Sequence, residues 1–321
     1  MSEHLDPEAV RGAFGDALVD FVGESMYAWA PVHRARVATA DGVVDAVIKT
    51  TWRSPEKVVA LNAWQEHLIA AGVAVVAPLR LVDRANPTAC EDRHLVAYPY
   101  VEGRPWRADI GDIAAAGALL GRIHRHSADF SHPDFPTLDW PEHDAESVAE
   151  DVAAISASYA EHLPEAVAER DRWVAGLESF HATVLPQIAD AGLPSYPVSL
   201  DHRATNLVYG EAGPHLVDLE NAEVAPRLLD LAVSALLFSS EIAPSLGRLF
   251  NAAEWQAYRD AYLAEAPALT EDERRLWATA LDYMLLEWGT WHAGEGAEWD
   301  YPSESEVLSD LLRFTADRWP L

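Results

Sequence analysis

The period of the apolar residues changes once along this chain. Up to about residue 101 short runs of strand type alternate with two helical segments. Beyond the loop Glu102-Gly103-Arg104-Pro105 the apolar residues recur at helical spacing for nearly all of the remainder, with one strand-like island at 196–220. That pattern predicts an α+β molecule with a small β-rich N-terminal lobe, residues 1–101, and a large helical C-terminal lobe, residues 102–321.

Within the first lobe, residues 6–19 read as an amphipathic helix. The runs 33–39 and 43–50 read as strands joined by an Asp41-Gly42 hairpin turn. Ser54-Pro55-Glu56 opens a helix that runs to Ala71, where Gly72 stops it. Further strands are expected near 73–76, 79–83 and 94–101. In the second lobe helices are expected at 108–127, 145–161, 164–190, 227–245, 254–266, 270–293 and 304–318.

Composition narrows the function. The formal net charge is −29, which repels nucleic acid and anionic membranes and suits either a solvated acidic surface or a cationic substrate. The single cysteine, Cys90, rules out an intramolecular disulfide and a cysteine metal site, in keeping with a reducing cytoplasm. Residues 1–22 are acidic and lack the features of a signal peptide, and the apolar stretch 68–79 is too short to span a bilayer. We therefore expect a cytoplasmic protein, monomer or dimer. Of 23 lysines and arginines only Lys49 and Lys57 are lysines. Lys57 falls in a first helical turn and reads as solvated. Lys49 ends a strand-like run, where a compact ammonium has a use that a guanidinium cannot fill. The plainer reading is an edge-strand lysine in solvent.

The island holds the chemistry. Residues 206–209 and 215–219 are strand-like, and Gly210 to Pro214 is turn chemistry, so the two should pair and bring Asn206 near Asp218. An amide oxygen and a carboxylate on one point suit a hard cation such as Mg²⁺. Asp201, five residues before Asn206, lies in a loop that must fold over the same end. Phosphoryl transfer needs such a set: metal ligands for the phosphates and a separate carboxylate for the attacking hydroxyl. Asp201 is then the base, and Asn206 and Asp218 are metal ligands with Glu220 as a further one. Asp and Asn also favour turns for their own sake; the hairpin spacing and Lys49 are what lift the phosphoryl-transfer reading above that.

These residues resemble the aminoglycoside phosphotransferase and choline kinase superfamily, of protein-kinase-like two-lobed fold. Its His-Gly-Asp-x4-Asn loop is similar to Ser199-Leu200-Asp201-His202-Arg203-Ala204-Thr205-Asn206, with Ser199-Leu200 standing where the family has His-Gly. Its metal motif resembles Val217-Asp218-Leu219-Glu220, followed by Ala225-Pro226 and Asp230-Leu231-Ala232. Its Leu-x-x-Leu-His helix end and hinge resemble the segments ending at His124 and Gly103. The resemblance implies a small-molecule kinase, antibiotic resistance being the first subtype, that uses ATP and Mg²⁺. Lys49 would hold the α- and β-phosphates, backbone near Pro99 and Val101 would meet adenine, and Glu66 is one candidate partner for Lys49. The stretch from Trp29 to His33, where the family covers phosphate with glycines, has none. A catalytically impaired, kinase-like ligand-binding protein is the alternative.

Two groups remain. His124, His126 and His132 do not share a helix face and read as packing or surface residues rather than metal ligands. Glu287, Trp288, Trp291 and Glu295 interleave acids with tryptophans and are candidates for the wall of a substrate site that takes a cation. Ordinary helix packing with solvated acids is the plainer account.

Overall fold

The computed structural model describes residues 5–27, 30–142, 144–240, 247–294, 296–297 and 299–321. Its contacts divide the chain into two compact units, one of residues 1–102 with 132–135 and 217–220, the other holding the rest.

In the first unit, Asp41-Gly42 forms the turn of a hairpin, with Gly42 at φ 122° and Thr39 paired to Gly42. Helix α1 (Pro7–Phe14) precedes strands β1 (Leu18–Ser25), β2 (Val32–Thr39) and β3 (Gly42–Thr51); helix α2 (Pro55–Ala70) and strands β4 (Thr88–Cys90) and β5 (Arg93–Pro99) follow. The sheet is antiparallel in the order β1-β2-β3-β5-β4. Val10 and Phe14 of α1 join Val37, Ala46, Ile48, Leu95 and Ala97 in one core.

Two expectations fail here. The first helix ends at Phe14 rather than residue 19, because Gly15 turns left-handed at φ 55° and its N–H caps Arg11. The apolar residues after it belong to β1. The segments 73–76 and 79–83 build no ladder: Pro78 lacks a donor, and Leu81 makes only an isolated bridge to Thr39. Asn86 fastens this stretch instead, donating to the carbonyls of Leu79 and Ala97 and accepting from Ala97 N–H.

The second unit runs through α3 (Ile110–Ser127), α4 (Ala145–His162), α5 (Val167–Thr183), α6 (Leu185–Ala189), β6 (Ser195–Val198), β7 (Leu207–Gly210), β8 (Gly213–Leu216), β9 (Glu223–Pro226), α7 (Arg227–Leu237), α8 (Ala252–Glu265), α9 (Glu271–Arg275), α10 (Trp277–Leu286), α11 (Trp288–Ala293) and α12 (Pro302–Arg313). The single helix expected over 164–190 divides at Val184 into α5 and α6, with Pro186 in the first turn of α6. That over 270–293 divides at Leu276 and Glu287 into three. Helix α3 lies directly on α8. A Cβ at Gly117 would strike the Tyr258 carbonyl, and one at Gly121 the Tyr262 carbonyl, so only glycine allows the approach. Every residue of α7 is buried. Its Arg227 meets Glu273 at 2.6 Å and donates to the carbonyls of Pro267 and Ala268, which satisfies a charge pair taken out of water. No helix among the described residues is long and apolar enough to cross a membrane.

Candidate active site

The loop between β6 and β7 is set by one carboxylate beneath it. Asp230, in the first turn of α7, is fully buried. It accepts from Ser199 N–H at 2.9 Å, Ser199 Oγ at 3.0 Å and Leu200 N–H at 2.8 Å, and meets His124 Nε2 at 2.9 Å. Burial alone would raise its pKa; the His124 and Ser199 contacts outweigh it and hold the carboxyl below the usual carboxylate range. His124 is completed by the Tyr262 hydroxyl at 2.9 Å, so it is a packing and bonding residue of the scaffold. Sequence reasoning passed over Asp230 as more than a motif position. An acid inside the apolar run Leu228-Leu229-Asp230-Leu231-Ala232 was the available signal, since such a group is buried only with partners.

Held this way, the loop presents Asp201. The Arg203 guanidinium lies 2.6 Å from Asp201 Oδ1, and Asn221 Nδ2 donates to Oδ2 at 3.0 Å. Neither partner is readable from the sequence. Asp201 lines a cavity of about 450 Å³ together with Leu200, His202, Glu287, Trp288 and Trp291. The lining thus comes from the loop, from α7 at Val233, Ser234 and Leu237, and from the α10–α11 junction. Glu287, Trp288 and Trp291 come to the same cavity as Asp201; Glu295 lies outside the described residues. His202 is buried, bonded at Nδ1 to the Tyr258 hydroxyl at 3.1 Å, and desolvation lowers its pKa to about 4, so the ring is neutral.

After the loop, a short 3-10 turn (Ala204–Asn206) leads into the hairpin β7–β8, paired Leu207 to Leu216 and Gly210 to Gly213. Asn206 Nδ2 donates to the Asp201 carbonyl at 3.0 Å, which commits the amide nitrogen and leaves its oxygen as an acceptor.

The other predicted residues belong to the first unit. Lys49, on β3 opposite Val96, places Nζ 2.7 Å from Asp218 Oδ1 and 3.6 Å from Glu220 Oε2. Burial opposes its charge, but Asp218, Tyr98 and Glu220 together prevail and raise its pKa, so the ammonium is firmly charged. Glu220 braces the strand end: its carboxylate accepts from the Thr51 hydroxyl and, at 3.0 Å, from Trp52 N–H. Its backbone carbonyl takes Arg53 Nε at 3.0 Å. Glu66 is not beside Lys49. It is ion-paired with the exposed Arg80 at 2.7 Å, because the face of α2 that carries Trp64, Gln65 and Leu68 is the buried one. Pro99 ends β5 against Ala46, and Tyr100 N–H bonds the Asp45 carbonyl just before Val101. Of the glycine-free stretch near residue 30, Trp29 lies outside the described residues.

A family model described as the phosphotransferase enzyme family matches residues 34–276, well over half the chain. The chain belongs to the phosphotransferase enzyme family. No curated protein sequence matches this phosphotransferase. Among solved structures it is similar to an aminoglycoside phosphotransferase from Alicyclobacillus acidocaldarius, at 16% identity and TM-score 0.61 over 97% of this chain and 92% of that one. It is similar also to the amicoumacin kinase hAmiN in complex with AMP-PNP, Ca²⁺ and Ami, at 14% identity and TM-score 0.59 over 99% and 91%. A third is spectinomycin phosphotransferase APH(9)-Ia with ADP and spectinomycin, at 12% identity and TM-score 0.58 over 97% of each chain. These likenesses establish the α+β, two-lobed kinase-like fold. The phosphotransferase departs from the family loop at Leu200, which occupies the glycine position and adopts φ 51° there, a left-handed conformation that a side chain resists.

Proposed function

We propose that this small-molecule phosphotransferase is an ATP-dependent kinase that transfers the γ-phosphoryl group to a hydroxyl of a small cationic acceptor, an antibiotic such as an aminoglycoside or a related metabolite, in the cytoplasm. One observation carries the reading: Asp201 lines the same cavity as Glu287, Trp288 and Trp291. A carboxylate placed there takes the proton of an acceptor hydroxyl, while the tryptophan faces and Glu287 receive an ammonium group.

The remaining roles follow the chemistry of each group. Lys49 is the phosphate-binding cation, kept charged by Asp218 and Glu220. Asn206 and Asp218 supply the oxygen donors that suit Mg²⁺, with Glu220 acting as a brace on Asp218's segment as well as a candidate ligand. Backbone at Pro99 and Val101 meets the adenine. When bound, ATP supplies the phosphoryl group and Mg²⁺ neutralises phosphate charge. Arg203 holds Asp201 in one orientation.

The same Arg203 and Asn221 contacts, which cover both oxygens of Asp201, favour the second reading, a binding protein with impaired chemistry. Calorimetric titration with Mg·ATP, then a phosphate-transfer assay over spectinomycin, aminoglycosides, choline and ethanolamine, separates the two. Turnover that disappears in Asp201→Ala supports the kinase. Acceptor binding with no nucleotide binding rejects it.

A further inference from the structure

A second cavity, of about 440 Å³, is lined by α5, α10, the end of α12 and the segment that follows it. It shares no lining residue with the cavity of Asp201. Most of its lining is apolar, and Trp173, Leu286, Leu312 and Phe314 in it are buried. Into these surroundings α10 brings one carboxylate. Asp282 interrupts the run Ala280-Leu281-Asp282-Tyr283-Met284-Leu285-Leu286, is half-buried, and makes no hydrogen bond or ion pair among the described residues. Burial raises its pKa, against the pull of the Arg172 guanidinium. That guanidinium is occupied elsewhere. Its Nη2 donates to the carbonyls of Leu312 at 2.9 Å and Phe314 at 3.1 Å, where it caps the end of α12. The remaining charged residue of the lining is Asp317, which is exposed. Two acids against one arginine leave the lining with an excess negative charge. An acid set among apolar side chains gives up hydration, and Asp282 gains no partner in return; a leucine or an asparagine would cost less there.

We infer that this cavity is a second ligand site, and that its ligand is a small organic ammonium ion, a primary amine carried on an apolar chain or ring. The ammonium supplies the partner that Asp282 lacks, and the apolar body covers Trp173, Leu286 and Phe314. No hydroxyl is needed, which separates this ligand from a phosphoryl acceptor. The net charge of −29 favours the approach of any such cation. Neither Asp201 nor a nucleotide takes part, so binding here stands or falls apart from the kinase reading.

Calorimetric titration with hexylammonium, hexanol and hexanoate tests it without turnover. Hexylammonium should bind, with the alcohol and the anion of the same chain weaker by about tenfold or more. Asp282→Asn keeps the size of the side chain and removes its charge. It should weaken hexylammonium by about tenfold or more, to the level of hexanol, while the urea midpoint does not fall. Thr315→Trp, at an exposed position of the lining, should block the cavity and abolish binding with Asp282 intact. That variant decides the matter if Asp282→Asn does not fold. Hexylammonium binding that survives both substitutions belongs to another cavity and overturns the site. Equal affinity for hexylammonium and hexanol overturns it as well, because the carboxylate would then recognise nothing. So does the absence of any binding at millimolar hexylammonium.

Discussion

Two carboxylates lie on opposite sides of one loop, and their surroundings divide scaffold from chemistry. Asp230 is sealed below it, with four donors on its two oxygens and no face toward a cavity. Asp201 is presented above it, held by one guanidinium and one amide and set in the wall of a space large enough for a ligand. A saturated, buried acid fixes backbone; an acid on a cavity wall can exchange its partners for a substrate. The same loop needs both, since Asp201 has a defined position only because Ser199 and Leu200 are tied to Asp230.

The sharpest way to break the contrast is to remove each acid separately. Asp201→Ala should lower kcat about a thousandfold or more, as expected for loss of a general base, while the urea midpoint hardly moves. Steady-state turnover beside equilibrium unfolding checks both halves. Asp230→Ala should do the reverse in order of cause: it leaves two buried N–H groups and a hydroxyl unpaired and should destabilise the fold by about 4 kcal/mol, with activity lost as the loop loosens. Should Asp230→Ala prove as stable as wild type, the division between the two acids is wrong.

How much of this could be read from the residues alone depends on how local the physics is. The Asp41-Gly42 hairpin and helix α2 were legible, because their turn and cap residues act within a few positions; the β7–β8 hairpin was legible as a pair, but its second strand is Gly213–Leu216 rather than 215–219, so it ends before Asp218. Strand β1 was not, since its apolar residues continue the spacing of α1 and only the left-handed Gly15 separates them. Within the site, the loop and the aromatic-acid stretch at 287–291 stood out by type, and the fold brings them to one cavity. The partners did not stand out. Asp230 reaches Ser199 across 31 positions and Asn221 reaches Asp201 across 20; such pairings are decided by packing, which periodicity does not encode. Glu66 shows the converse: it had the right charge on the right helix, but the face that α2 buries sends it to Arg80.

A smaller effect probes the neighbour of Asp201. His202 is buried neutral, with a folded pKa of about 4 against 6.5 when unconstrained. Between pH 6.5 and 4 the unfolded chain therefore binds a proton that the folded chain refuses, and stability must fall as pH falls through that window and level off above it. The penalty at the acid end is roughly 3 kcal/mol. Urea midpoints measured against pH for wild type and His202→Asn isolate it, because the carboxylates common to both proteins cancel in the difference. The wild type should lose stability more steeply than the variant on acidification. Equal slopes would show the ring to be protonated in the fold and the loop's upper side to be wetter than its lower one by more than its burial indicates.

The smallest effect is the net of two opposed ones at Leu200, the residue that joins the two acids. Its N–H is bound to Asp230 and its side chain, 1% exposed, lines the cavity of Asp201. At φ 51° a leucine is strained by about 1–2 kcal/mol, which glycine would relieve. Truncation of a buried leucine forfeits about 2–5 kcal/mol of packing, so burial outweighs strain and Leu200→Gly should be less stable by about 1–2 kcal/mol. Asp230 still receives the same backbone N–H, so the loop keeps its shape and kcat for a phosphorylated acceptor should change little, while KM shifts because the cavity has lost part of its floor. Denaturation midpoints give the sign. A more stable Leu200→Gly would mean that the leucine is held against the fold's interest, and that its place at the cavity, rather than its packing, explains why a side chain stands where glycine fits the backbone.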